Sequence, residues 1–443
     1  MNDRASFRDV VKVREFRALW LAELISVCGD QLARVALAVL VYQRTSSAAL
    51  TGLTYALTFA PALLGGALLA GLADRLPRRA VLIAADLTRA ALAGVLALPG
   101  VPLLVLWAAV FALALAGAPF KAAQLALLPD VLEGERYPVG LALRTASTQT
   151  VQLISFAVGG AALLLVSPYV VLGGNALTFV LSAAIIQAGV RNRPVAWLRE
   201  DQANDRRRAS AIRLLIQDRR SMALVGFIVL AGLTVAPEGV AAPYAAELNA
   251  SAMAVGLLLA ADPLGSVLGA WWIGRWRSPD ARTKAMIPLA ILAGLALVPC
   301  HLHPNLVSSL LLWALSGAFT TMVLIQAQAL LTRSIPNERR AATIGLASAG
   351  LQTSQGLVIL AAGAMGDQIG VYRAIGLIGL VTALLASTCG AMWRRARPRN
   401  SQSPDGGHDV GHGTPEETTT DHGYALPAPP PRDPAAPRET RSR

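Results

Sequence analysis

Residues 102–115 read PLLVLWAAVFALAL, and residues 371–387 read VYRAIGLIGLVTALLAS. The first run carries no charge and the second only Arg373. Neither alternates apolar with polar positions, as the strands of a membrane barrel would. With its flanks, each approaches the ~20 residues that an α-helix needs to cross ~30 Å of hydrocarbon. Similar runs recur along most of the 443 residues, 54% of which are hydrophobic and 15% charged. A soluble chain of this length needs more polar surface. In a bilayer, helices satisfy their own backbone hydrogen bonds. The fold class expected is therefore an all-α, multi-pass membrane protein.

Working outward, we expect about twelve transmembrane helices. Spans 1–6 cover residues 19–41, 48–69, 80–98, 102–128, 138–166 and 169–190. Spans 7–12 cover 222–245, 252–273, 284–302, 306–334, 341–365 and 371–393. Residues 1–18 form a polar N-terminus with no cleavage site after the first run, so that run stays as an anchor. Residues 191–221 are a hydrophilic linker whose arginines surround Leu214 and Leu215, the pattern of an interfacial helix. Residues 394–443 form a tail rich in proline, glycine and acids, with no core to bury.

Basic residues punctuate these segments on one side. They occupy the N-terminus, the 2–3 loop (Arg75, Arg78, Arg79), the linker, the 8–9 loop, the 10–11 loop and the start of the tail. The alternate loops at 99–101, 167–168, 247–251 and 301–305 contain neither lysine nor arginine. The positive-inside rule then places both termini in the cytoplasm and the chain in the inner membrane. This punctuated distribution of the net +12 charge also excludes a nucleic-acid face. Cys28, Cys300 and Cys389 are scattered, and His301 and His303 lack further ligands, so no metal or cofactor is expected. Nor does any glycine-rich loop end in Lys-Ser or Lys-Thr, so no ATP-driven cycle and no enzyme activity is expected.

Shifting the chain by 203 residues (338 − 135) superimposes Glu135–Arg136 on Glu338–Arg339. Gln149, Thr150 and Gln152 then fall on Gln352, Thr353 and Gln355. Alanine and leucine matches mean little in this composition; these polar ones imply two parallel six-helix halves, 19–190 and 222–393.

The 2–3 loop reads Gly71-Leu72-Ala73-Asp74-Arg75-Leu76-Pro77-Arg78-Arg79. It resembles the signature of the major facilitator superfamily: glycine, then Asp-Arg, then a basic pair. Ala70 and Pro77 depart from positions where that family usually has glycine. Phe16-Arg17-Ala18-Leu19-Trp20 with Gly29-Asp30, Asp86-Leu87-Thr88-Arg89, Leu127-Leu128-Pro129-Asp130 and Asn175-Ala176-Leu177-Thr178-Phe179 resemble the macrolide-efflux and enterobactin-exporter-like branch. The Gly-Pro-x-x-Gly-Gly element common in drug–proton antiporters is incomplete at 155–160. The resemblance implies a secondary transporter with a small-molecule substrate, exporting amphipathic or cationic compounds by proton-coupled alternating access and working as a monomer. An importer or siderophore exporter of the same fold is the alternative, and a non-transporting receptor the alternative of another class.

Several residues could carry such a mechanism. By resemblance, Gly71, Asp74, Arg75, Arg78 and Arg79 form a cytoplasmic gate. Intramembrane charges are costly and therefore point to function. Glu23, Asp30 and Arg34 share one face of span 1, with Asp30 roughly 16 Å from the helix start. Asp30 either exchanges a proton or forms a fixed pair with Arg34. Glu238 sits in the Pro237–Glu238–Gly239 break of span 7, facing the cavity or lying near the outer surface. Asp262, before Pro263, reads a cationic substrate or caps a kink. Asp86 and Arg89 are spaced as a pair on span 3, while Gln149, Gln152, Gln352 and Gln355 suggest interhelical hydrogen bonds or cavity lining.

Overall fold

The computed structural model describes residues 6–59, 76–134, 136–193, 218–275, 278–335 and 337–395. Each expected span contains helix, and no strand occurs among the described residues. In the first half the helices are Arg14–Thr45, Ala48–Ala56, Arg78–Leu96, Leu103–Val131, Arg136–Ala162 and Pro168–Gly189. Those for spans 8 to 12 are Ala252–Arg275, Pro279–Leu295 with Val298–Leu302, Leu306–Ser334, Asn337–Ile369 and Val371–Arg395. Span 7 breaks into Arg219–Ala231, a 3-10 turn at Gly232–Val235, then Ala236–Gly239 and Ala241–Glu247. Pro237 and Pro243 supply no backbone N–H there, so a continuous ladder is impossible.

Nine of these helices are long and apolar enough to cross a membrane. Spans 2, 3 and 5 are the others: span 3 carries Arg78, Arg79, Asp86 and Arg89, and span 5 carries Arg136 and Arg144. The later part of span 2 lies outside the described residues, as do most of the expected interfacial linker and the tail beyond Arg395. Span 1 begins at Arg14 instead of residue 19. Its first turns are polar, and a helix of 32 residues, ~48 Å long, must tilt or protrude from the bilayer. Large apolar side chains on the helices, such as Leu104, Leu177 and Leu384, are exposed, as lipid contact requires.

Spans 1, 3, 4, 5 and 6 pack on one another, and spans 7 to 12 do likewise. Across the seam, span 5 meets span 8 and span 2 meets span 11. Advancing each number by six turns one pair into the other, so the seam has the symmetry of the repeat.

At the arginine-poor end this seam is tight. Gly160 of span 5 and Gly256 of span 8 touch through their backbones, and a Cβ added at Gly160 would lie 2.8 Å from the Gly256 Cα. Opposite, Asp367 of span 11 caps the first turn of span 2. Its carboxylate accepts hydrogen bonds from the Ser47 hydroxyl (2.6 Å) and the Ala48 and Ala49 amides (2.6 and 3.2 Å). A carboxylate is favourable there because the first amides of a helix have no partner within it.

Two predictions follow from this seal. Gly256→Leu should leave both halves folded but hold this end apart, because the new side chain meets the Phe156 carbonyl and Gly160 backbone. Spin labels at Leu164 and Asn249, both at this end, should report a longer distance; an unchanged distribution would refute the seam. Asp367→Ala removes a helix cap worth about 1 kcal/mol, so the closed population should fall about fivefold relative to the open one by the same measurement.

Candidate functional site

Inside the first half, spans 1, 3 and 6 bring a polar network together. Arg89 of span 3 donates to Asp30 of span 1 at 2.6 Å, to Asp86 one turn back at 3.3 Å and to Ser26 at 3.2 Å. Asp86 is fully buried and also accepts from Ser182 of span 6 at 2.5 Å. The Arg89 guanidinium lies 4.0 Å from the Phe179 ring centroid. Every formal charge here has an opposite neighbour, which is what allows three charged groups inside the bundle. The Asp86–Arg89 pair expected from spacing is present. Asp30, however, pairs with Arg89, not with Arg34.

Arg34 points elsewhere. Its guanidinium lies over the rings of Tyr55 and Phe59, 5.6 and 5.8 Å from their centroids. Tyr55 donates a 2.6 Å hydrogen bond to the carboxylate of Glu238, joining span 2 of one half to the broken span 7 of the other. Glu238 is buried. Arg34 and Glu238 are close enough to interact electrostatically, and so are Glu238 and Asp262. Asp262 rests against Gly317 of span 10, where any side chain would collide with its carboxyl. A polar line therefore runs from Asp86 through Arg89, Asp30, Arg34, Tyr55 and Glu238 to Asp262.

A cavity of about 340 Å³ opens along this line. Asp30, Arg34, Arg89, Lys121, Asn175 and Gln352 supply its polar wall, and Leu37, Leu96, Val110 and Leu113 its apolar one. Gln352 belongs to span 11, so both halves contribute. The volume lies at the lower end of those that enclose organic ligands, and the mixed lining suits an amphipathic one.

With this geometry in place, the comparisons decide the family. The profile described as Major Facilitator Superfamily matches residues 19–237 and again 222–431. The chain belongs to the major facilitator superfamily. It is thus a multi-pass membrane protein and a secondary transporter of a small molecule, not an enzyme. The double match coincides with the internal repeat. No curated protein matches the sequence. Among solved structures, the nucleoside transporter NupG is similar at 14% identity and TM-score 0.67, covering 86% of this chain and 99% of that one. A bacterial homolog of the human lysosomal transporter Spinster, inward-facing and occupied, is similar at 14% and 0.68, covering 86% and 96%. A POT family transporter in complex with 5-aminolevulinic acid is similar at 13% and 0.66, covering 87% and 97%. At such identities the likeness shows the superfamily fold.

Of the superfamily's signature loop, Gly71, Asp74 and Arg75 lie outside the described residues. Arg78 donates to the Ala126 carbonyl at 2.7 Å and to Asp130 at 2.6 Å, fastening span 3 to span 4. Arg79 donates to the Gln187 carbonyl of span 6. Glu23 does not join Asp30 and Arg34. It takes a two-pronged contact from Arg144 of span 5 (2.5 and 2.6 Å) and a bond from Gln124 (2.9 Å). Gln149, Gln152, Gln352 and Gln355 make no side-chain hydrogen bonds with one another among the described residues; Gln149 is exposed and Gln352 lines the cavity. Sequence reasoning passed over Arg144, Lys121 and Tyr55. The first is an intramembrane charge of the kind that singled out Asp30. The second lies in a long apolar span. Tyr55 carries no signal that distinguishes it from an interfacial aromatic.

Proposed function

We propose that this chain is a proton-coupled exporter of small amphipathic compounds that works as a monomer in the cell's inner membrane. Its arginine-rich loops and both termini face the cytoplasm, in keeping with the positive-inside distribution. The observation that carries the coupling is the hydrogen bond from Tyr55 to Glu238, because it ties an acid on this line to a residue of the other half. When two rigid halves rock, only groups with partners in the other half change surroundings. The Asp30 ion pair lies within the first half and stays constant.

With the outer end closed, Glu238 is buried and accepts the hydrogen bond from Tyr55 of the other half. Opening that end withdraws Tyr55 and leaves the carboxyl to take a proton from outside. Closing restores the contacts and releases the proton inward. A substrate entering the cavity from the cytoplasm would ride the opposite half-cycle. Export is supported by the stretches resembling efflux proteins, while Arg78 and Arg79 brace span 3 against spans 4 and 6 within the first half.

The test is proton movement in energised inside-out vesicles, with a pH dye in the lumen and a broad panel of compounds outside. A compound carried inward should drive protons out and alkalinise the lumen. Uptake of a compound with no pH change in the lumen would sink proton coupling. Lumen acidification on addition would indicate movement in the other direction.

A further inference from the structure

Three cations line the cavity against one carboxylate, and the carboxylate is taken. Asp30 is held by Arg89 at 2.6 Å. Arg34 rests on two aromatic rings, with Asp30 and Glu238 within electrostatic reach and no carboxylate at ion-pair distance among the described residues. Lys121 lines the cavity from span 4 and makes no hydrogen bond or ion pair among the described residues. The nearest acids all have other contacts: Glu23 is gripped by Arg144 and Gln124, Asp86 by Arg89 and Ser182, and Glu238 by Tyr55. Lys121 is exposed to the cavity, so an anion entering there meets an ammonium that no carboxylate among the described residues already holds.

We infer that the cavity recognises an organic anion: a carboxylate, sulfonate or phosphate group met by Lys121 and Arg34, on a body that packs against Leu37, Val110 and Leu113. The inference rests on the transport reading above and names its substrate class, replacing the cationic compounds expected from the sequence. It suits export, since an inside-negative membrane drives an anion outward by about 2.3 kcal/mol per charge per 100 mV. An anionic lipid headgroup shares this chemistry and is separated by the experiment.

Ala118 lines the same cavity one turn from Lys121. With Cys28, Cys300 and Cys389 replaced by alanine, Ala118→Cys is labelled with two small methanethiosulfonate reagents, one sulfonate-bearing and one trimethylammonium-bearing. The full-length protein sits in phosphatidylcholine nanodiscs, and rates are normalised to a free thiol. The anionic reagent should react about tenfold faster, the size of enrichment that a focused cleft potential produces. Lys121→Gln should reduce the preference several-fold and Lys121→Arg should keep it, which excludes misfolding as the cause. Preference retained in phosphatidylglycerol nanodiscs assigns the site to a soluble anion; preference lost only there assigns it to a lipid headgroup. Equal rates, or faster reaction of the cationic reagent, overturn the inference. No proton gradient is involved, so a protein that drives protons yet shows no preference refutes this inference alone. One with the preference and no proton response refutes the proposed coupling alone.

Discussion

Glu238→Gln abolishes proton-driven accumulation while sparing exchange of substrate for substrate. Glutamine keeps the shape and can still accept the Tyr55 hydrogen bond, so the closed outer end and the cavity persist. What it cannot do is gain and lose a proton as the halves rock. Uphill transport into inside-out vesicles should fall by about a hundredfold, as expected when a step loses a group on which it depends. Exchange with no gradient should stay within about threefold of wild type. Tyr55→Phe leaves the carboxyl in place and removes the hydrogen bond that ties it across the halves, so it should give a partial loss. Asp30→Asn serves as the contrast. Its partner Arg89 lies in the same half, so the variant should alter substrate affinity and keep a proton response. If Glu238→Gln retains uphill transport and Asp30→Asn loses it, the proton site is Asp30 and the cross-half argument fails.

Arg89→Gln should be the most destabilising single change in the first half. It strands Asp86, whose side chain has no exposed surface, with only the Ser182 hydroxyl as partner. Removing one member of a buried pair typically costs about 3–5 kcal/mol, because the remaining charge stays uncompensated. The stacking of Arg89 on Phe179 is lost as well. Adding Asp86→Asn removes the stranded charge and should recover much of the loss, making the pair strongly non-additive. Thermal unfolding of detergent-solubilised protein provides the check. A single variant as stable as wild type, or a double variant no better than Arg89→Gln, would mean the network contributes little to folding.

Among the contacts, the ones legible beforehand were those set by spacing along one helix. Asp86 and Arg89 lie one turn apart on span 3, and the backbone alone brings them together. Spacing also put Glu23, Asp30 and Arg34 on one face of span 1, yet each finds a different partner. Glu23 goes to span 5, Asp30 to span 3, and Arg34 to the rings of span 2. A shared face establishes which way side chains point, not which neighbouring helix meets each turn. The glutamines illustrate the same limit. The repeat equates Gln149 with Gln352, but only Gln352 lines the cavity, because the two halves do not contribute equally to its wall.

The sequence by itself determined the environment, the helices and the repeat. Hydropathy and backbone satisfaction are local, so they can be read residue by residue, and the arginine pattern that orders the loops is equally local. Only the tertiary structure decided that Tyr55 ties Glu238 across the halves, that Asp367 caps a helix of the opposite half, and that Lys121 faces the cavity with no hydrogen-bond or ion-pair partner among the described residues. Those facts depend on which helices adjoin at a given depth. That adjacency comes from packing between residues hundreds of positions apart, of which a single sequence carries no direct record.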